Sequence, residues 1–299
     1  MGLLVRFAPA LGTWLVQQLD GGRTPPDVVA MMQAQGMEAR AAQAIVDAFV
    51  AARRQQRPLP VDTVELPEAE AFAMPVSRLA PGARVAAADR SVAVLARAQD
   101  PPLAVLGGVL SADECATLIE MARPRLRPST LVDPRSGRDV VSGARSSAGM
   151  FFRLGENPLI ARLDRRLSAL MNLPVENGEG LQVLHYPAGA SSAPHFDFLQ
   201  PSNAANQASI ARSGQRVSTL VCYLNDVAGG GETVFPTSGW TVSPQRGHAV
   251  YFEYCDAQGR VDARSLHAGG LVTQGEKWVA TKWMRQRRFV SAAEAGAIA

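Results

Sequence analysis

Apolar positions in the first fifty residues recur at helical spacing. Leu11, Trp14, Leu15 and Leu19 lie three or four apart, one stripe of a helix that Gly21-Gly22 stops. Pro26 opens a second such pattern that runs through Met32 and ends at Gly36, and Ala41, Ala44, Ile45, Ala48 and Phe49 mark a third. The spacing predicts a small three-helix unit over 1–56, either a docking or dimerisation module or a helical cap. Periodicity then fades. Residues 57–81 are rich in proline and acidic side chains, and 57–102 reads as a linker.

From 103 the pattern changes. Residues 103–109 form an apolar run expected as a strand, and Ser111-Ala112-Asp113-Glu114 is a capping-box start for a helix reaching Arg123. Short β-branched or aromatic segments with turn residues between them follow at 182–186, 195–198, 217–224, 232–235, 248–252, 265–267 and 278–284. Many short strands of this kind predict a sandwich or jelly roll. Two polar stretches, 128–143 and 200–215, are too long and too poor in core residues for tight turns and read as lids. Residues 103–290 form the main domain and 291–299 a tail.

Composition narrows the class. A chain of 299 residues with 47% hydrophobic and 19% charged residues can bury a sizeable core. The net charge is only +3, and basic residues are dispersed apart from Arg53-Arg54-Gln55-Gln56-Arg57 and Arg285-Gln286-Arg287-Arg288, so no nucleic-acid partner is expected. Cys115, Cys222 and Cys255 are odd in number, far apart and without a Cys-x-x-Cys. They argue against a disulfide framework and for a reducing, cytoplasmic location. Arg6 interrupts the apolar start, and no run of about eighteen apolar residues occurs, so neither secretion nor a membrane span is expected.

The candidate chemistry lies in Pro194-His195-Phe196-Asp197-Phe198 and, far downstream, Ser265-Leu266-His267. Two imidazoles and one carboxylate hold non-haem Fe(II) on one face and leave the other positions open. Residues two apart in an extended strand point the same way, so His195 and Asp197 can reach one metal. The same donors suit Zn(II) with a bound water, but a hydrolase needs a general base, and no His-Glu-x-x-His or similar arrangement accompanies them. Lys277 follows His267 after a turn and a return strand, which can carry an ammonium back beside the metal to meet a bound dicarboxylate. Alternatively, Lys277 and Lys282 are ordinary solvated strand lysines. His248 reads as a surface histidine at a turn.

Six collinear motifs between about Val105 and Arg288 resemble the prolyl 4-hydroxylase type of Fe(II)/2-oxoglutarate-dependent dioxygenase. They are Arg145-Ser146-Ser147-Ala148-Gly149-Met150-Phe151, Leu181-Gln182-Val183-Leu184-His185-Tyr186, Pro194-His195-Phe196-Asp197, Arg216-Val217-Ser218-Thr219-Leu220, Tyr223-Leu224-Asn225-Asp226 leading to Gly230-Gly231-Glu232-Thr233-Val234-Phe235-Pro236, and the segment from His267 to Trp283. The resemblance implies an α+β fold, a distorted, cupin-like double-stranded β-helix flanked by helices with the metal at its mouth. It implies that His195, Asp197 and His267 bind iron, Lys277 pairs with the distal carboxylate of 2-oxoglutarate, Tyr186 and Thr219 hydrogen-bond the same co-substrate, and Arg145 faces the substrate. Trp283 either lines the mouth or belongs to the core.

By the same resemblance the cofactors are Fe(II), 2-oxoglutarate and O2, with ascorbate as reductant. The product is a hydroxylated C–H, with a prolyl residue of a peptide or protein as substrate and release of succinate and CO2. A free amino acid or other small molecule is the alternative substrate, and a non-catalytic peptide-binding barrel the alternative class. Related halogenases replace the carboxylate by a small residue, so Asp197 implies hydroxylation. Ser192 departs from the pattern: many members carry a tyrosine three residues before the metal histidine, facing the substrate.

Overall fold

The structure is a computed structural model that describes residues 3–66, 77–128, 131–132, 139–140, 146–256 and 259–294. The chain divides into two compact units, Met1–Ala73 and Met74–Ala299. The first contains β1 (Leu3–Arg6), α1 (Pro9–Asp20), α2 (Pro25–Ala34), α3 (Ala39–Arg54) and β2 (Thr63–Leu66). Thr24 and Asp27 form a reciprocal capping box at α2, and the Glu38 carboxylate accepts from the Arg40 and Ala41 amides at α3. Leu15, Val28, Ile45, Val46 and Phe49 close a core of their own.

The three helices follow the apolar periodicity, but the expected linker over 57–102 does not hold. Strand β2 pairs antiparallel with β1 and buries Val64 and Leu66 in the helical unit's core. Downstream, Arg84–Ala87 and Arg90–Gln99 are strands β3 and β4 of the second unit. Their β-branched residues, Val85, Val92 and Val94, are diluted among alanine and arginine, and pairing with each other and with β5 supplies what that weak propensity does not.

The second unit continues with β5 (Pro102–Gly107), α4 (Ala112–Ala122), β6 (Arg127–Pro128), β7 (Leu131–Val132), β8 (Asp139–Val140), β9 (Ala148–Phe152), α5 (Pro158–Met171), β10 (Leu181–Tyr186), β11 (Ser192–His195) and α6 (Ala204–Ser213). It closes with β12 (Arg216–Tyr223), β13 (Gly229–Gly230), β14 (Thr233–Phe235), β15 (Trp240–Val242), β16 (Ala249–Glu253), β17 (His267–Gly269), β18 (Val272–Gln274) and β19 (Lys277–Arg285). A nine-stranded sheet in the order β3-β4-β5-β16-β12-β19-β10-β9-β6 and a four-stranded sheet in the order β11-β17-β14-β15 share one core. Phe235 of the smaller sheet meets Phe252 of the larger edge-on at 5.1 Å, and the Tyr223 hydroxyl donates across to Thr233 at 2.8 Å. This is the expected double-stranded β-helix.

Helix α5 covers the outer face of the large sheet and was not anticipated, although Ile160, Leu163, Leu167, Leu170 and Met171 mark its buried stripe. The second expected lid, 200–215, is instead occupied by α6, capped by the Asn203 side chain at Asn206. The first, 128–143, lies mostly outside the described residues.

An arginine on α5 ties several of these elements together. Arg166, 1% exposed, gives Nε and Nη2 to Asp89 at 2.7 and 2.6 Å, Nη1 and Nη2 to Glu114 at 2.7 and 2.8 Å, and Nη1 to the Val109 carbonyl at 3.0 Å. Glu114 also caps α4 through Ser111. Burial alone would raise the Glu114 carboxyl, but the Arg166 hydrogen bond, the Ser111 amide and the charges of Arg166 and Arg90 together outweigh it and hold the group at about 2, against an ordinary 4.5. Arg166→Met is expected to lower the unfolding free energy by about 3 kcal/mol, the low end for a broken buried pair. Arg90 and Arg162 remain 3.3 and 3.2 Å from the same carboxylate. Because the folded value is depressed, the contribution is complete above pH 4.5 and is lost as pH falls towards 2. Denaturant titrations across that range should show the gap between wild type and variant closing.

Candidate metal centre

Pairing of the smaller sheet sets the two imidazoles side by side. His195 ends β11, His267 begins β17, and the two are direct cross-strand partners with ring centroids 4.4 Å apart. Asp197 does not share that strand. β11 stops at His195, and Asp197 follows in a bend, so the two-residue spacing acts through the turn of the chain rather than through a shared strand face. Even so, ligand atoms of His195, Asp197 and His267 lie within 4.8 Å of one another.

Hydrogen bonds settle how each ring presents itself. Nδ1 of His195 lies 2.9 Å from the Ala193 carbonyl and Nδ1 of His267 lies 3.1 Å from the Ser265 carbonyl. A carbonyl only accepts, so both Nδ1 atoms carry the proton and both Nε2 atoms keep a lone pair. Those Nε2 atoms lie 3.7 and 3.6 Å from the Asp197 carboxylate oxygens. Burial would raise the Asp197 carboxyl, but the charge that His267 and His195 carry when protonated, with Arg216 behind them, brings it down to about 2. A metal cation taking the place of those imidazole protons would meet two nitrogen donors and a carboxylate, a set that fits Fe(II).

The wall facing these ligands comes from β19. Its alternate residues Lys277, Val279, Thr281 and Trp283 line the metal cleft together with Leu184, Tyr186 and Val221. Lys277 is 4% exposed, and among the described residues its ammonium has neither an ion pair nor a hydrogen bond. It lies 5.6 Å from the Tyr186 ring centroid and 5.8 Å from that of Tyr223. Burial brings its pKa down to about 8, with only Glu232 acting in the other direction. The Gly230-Gly231 turn lets the lysine pass: Gly231 has φ +76°, and a Cβ there would stand 3.3 Å from Lys277 Cδ. Lys282, an odd number of residues further on, faces away and is bound to Asp164 at 2.9 Å and the Glu179 carbonyl at 2.6 Å. Neither lysine is solvated.

Other expected site residues divide. Tyr186 lines the cleft beside Lys277. Thr219 does not offer its hydroxyl to the cleft: that group donates to Asp197 Oδ2 at 2.7 Å. A hydroxyl that does line the cleft with Lys277 and Tyr186 belongs to Thr233, which accepts from Tyr223 at 2.8 Å and which sequence reasoning passed over although it follows the Gly230-Gly231-Glu232 turn. Trp283 lines the cleft at 7% exposure, with the Arg216 guanidinium 4.2 Å over its ring. Ser192 lines it from β11. His248 lies in a turn away from the cluster, and Arg145 lies outside the described residues.

Replacing His195, Asp197 or His267 by Ala is expected to weaken metal binding beyond detection while the thermal melt moves little. Calorimetric titration with Co(II) reads the first and circular dichroism the second. Wild-type affinity in any one variant would remove that residue from the ligand set.

Residues 181–285 match the model of the 2OG-Fe(II) oxygenase superfamily. Probable prolyl 4-hydroxylase 10 of Arabidopsis thaliana is 37% identical over 210 residues, 64% of this chain and 71% of that protein. Prolyl 4-hydroxylase 1 of the same plant is 41% identical over 202 residues, covering 62% and 70%. The solved viral collagen prolyl hydroxylase of Paramecium Bursaria Chlorella virus-1, in its 2OG complex, aligns at 28% identity and a TM-score of 0.48, over 61% of this chain and 95% of that one. On identity to the two plant enzymes over most of their length, and on the oxygenase model over the strands that carry its ligands, this chain belongs to the prolyl 4-hydroxylase family of 2OG-Fe(II) oxygenases.

Proposed function

We propose that this protein hydroxylates a prolyl residue in a peptide or protein. The observation that supports it most is the pairing, in one cleft, of the His195–Asp197–His267 donor set with the buried ammonium of Lys277, which has no ion pair or hydrogen bond among the described residues. Fe(II) with 2-oxoglutarate and O2 supplies the oxidation of an unactivated C–H, releasing succinate and CO2. The chain contributes position, charge and exclusion of water. His195, Asp197 and His267 hold the metal. Lys277 takes the carboxylate of 2-oxoglutarate farthest from it, with the Tyr186 and Thr233 hydroxyls in the same cleft. Val279, Val221 and Leu184 keep the floor apolar.

Two features favour a polypeptide. Relatives at 37% and 41% identity carry the name prolyl 4-hydroxylase. At the rim, Phe151 is half exposed and lies 6.4 Å from the Trp283 ring, an aromatic surface broader than a free amino acid needs. Ser192 presents no ring on the opposite side, which leaves Trp283 as the aromatic wall and Arg145 as a candidate substrate contact. Ascorbate as reductant and a reducing cytoplasmic setting belong to the same proposal. The latter is supported by three free, buried cysteines.

The lysine yields a pH dependence. Without its partner Lys277 titrates near 8, below its ordinary 10.5. A carboxylate binds the charged form and raises that value in the complex, so affinity for 2-oxoglutarate is flat below pH 8, falls as pH rises above it, and binding there takes up one proton. Calorimetry in buffers of differing ionisation enthalpy counts that proton. Lys277→Met should weaken 2-oxoglutarate roughly 10- to 100-fold, the loss of one charge-assisted hydrogen bond, and flatten the pH response. An unchanged affinity would place the anchor elsewhere.

Mass spectrometry decides the substrate. Proline-containing peptides and free amino acids incubated with enzyme, Fe(II), 2-oxoglutarate and ascorbate should show a gain of one oxygen on a prolyl peptide. Oxygen gained by a free amino acid instead would overturn the substrate and leave the reaction class standing.

A further inference from the structure

We infer that Tyr254 and Thr219 form a hydroxyl relay that fixes the orientation of the Asp197 carboxylate towards the two imidazoles. The inference rests on Asp197 being a metal ligand, as proposed above. The need for such a device comes from the fold. His195 and His267 are aimed by strand pairing and by bonds from Nδ1 to their own backbones, whereas Asp197 lies past the end of β11 and has no ladder to orient it.

Two contacts replace that ladder. The Arg216 guanidinium, itself held by Glu179 at 2.7 and 2.8 Å, donates to the Asp197 backbone carbonyl at 3.2 Å and pins the bend. The Thr219 hydroxyl, fully buried on β12, donates to Oδ2 at 2.7 Å and pins the side chain. An ionised carboxylate only accepts, so the single proton of Thr219 points at Asp197. The Tyr254 hydroxyl, 3.0 Å from Thr219 Oγ1, must then be the donor in that second contact. Tyr254 is 1% exposed and its ring lies 5.9 and 6.2 Å from those of Phe252 and Phe198, so its direction is set by packing.

Proton order therefore runs from Tyr254 to Thr219 to Oδ2, leaving Oδ1 without a described hydrogen bond. An oxygen already engaged this way is a poorer ligand than its neighbour. Thr219 and Tyr254 are positioning residues: they touch the ligand and not the reacting atoms. Outer partners of metal ligands commonly govern affinity by about 10- to 100-fold.

The test titrates Co(II) into the protein without 2-oxoglutarate, reading affinity by calorimetry and coordination by the intensity of the visible Co(II) absorption. Thr219→Val should weaken Co(II) about 10- to 100-fold and change the absorption. Thr219→Ser, which keeps the hydroxyl, should restore both. Tyr254→Phe should give the smaller effect, and Thr219→Val with Tyr254→Phe should be no worse than Thr219→Val alone, because the tyrosine acts through the threonine. Wild-type affinity and absorption in Thr219→Val, failure of Thr219→Ser to rescue, or additivity in the double variant would overturn the relay. If Thr219→Val does not fold, an unaltered Co(II) absorption in Tyr254→Phe overturns it. Asp197→Ala run in parallel separates the two levels: wild-type Co(II) affinity there would remove the metal ligand itself, whereas its loss beside a silent Thr219→Val would remove only the relay.

Discussion

Two buried ammonium groups on one strand organise the catalytic unit. All of β19 is buried, with β12 on one side and β10 on the other, and its pleat sends Lys277 and Lys282 to opposite faces. Burying a charge is costly unless a partner shares the site. Lys282 has one: Asp164 of α5 lies 2.9 Å away, and the Glu179 carbonyl takes a second bond, which fastens the outer helix to the sheet. Lys277 has no ion pair or hydrogen bond among the described residues and is correspondingly easy to deprotonate. The same strand thus carries one charge balanced by the fold and one left open to a bound anion, in the cleft that the metal ligands also line.

That difference says which side of the sheet is structure and which is site. Behind the strand, carboxylates and arginines are matched within the chain, as in the five bonds made by Arg166. In front, the polar groups of the cleft are left for ligands: two imidazole lone pairs, a carboxylate, an ammonium, and the Tyr186 and Thr233 hydroxyls, set among Leu184, Val221 and Val279. The apolar lining also strengthens each of the electrostatic contacts these groups can make, since a low local dielectric screens them less.

The sequence made the helical unit, most β-helix strands and the metal triad legible because each carries a local signal. Apolar spacing marked α1 to α3, and ligand chemistry marked His195, Asp197 and His267. Most of what escaped depends on distant partners. Strands β3 and β4 are the exception: they pair locally, with each other and with β5, and alanine and arginine dilute the apolar signal of Val85, Val92 and Val94. Strand β2, hidden among prolines, exists by pairing with β1 across three helices. The role of Thr219 could not be read from its motif, since nothing local shows that a bend after β11 brings Asp197 to its hydroxyl. Thr233 lines the cleft where Thr219 does not, because its strand follows the Gly230-Gly231 turn on the smaller sheet.

The rim repeats this logic at larger scale. Glu179 is buried between Arg216 and Arg285, which hold its carboxyl below the usual range against the effect of burial. Arg216 reaches forward from it, over Trp283 and to the Asp197 carbonyl, while Arg285 reaches sideways to the Ser209 carbonyl and hydroxyl on α6. One carboxylate therefore anchors the aromatic wall, the bend carrying a metal ligand, and the helix that stands where the polar composition suggested a mobile lid. A helix fastened in this way at its C-terminal half, with Arg287 bonded to the Ile210 and Ala211 carbonyls as well, is part of the scaffold rather than a flap. The polar composition of 200–215 thus marks a helix tied down by arginines, and the bonds that tie it begin at the carboxylate that also pins the bend before the metal cleft.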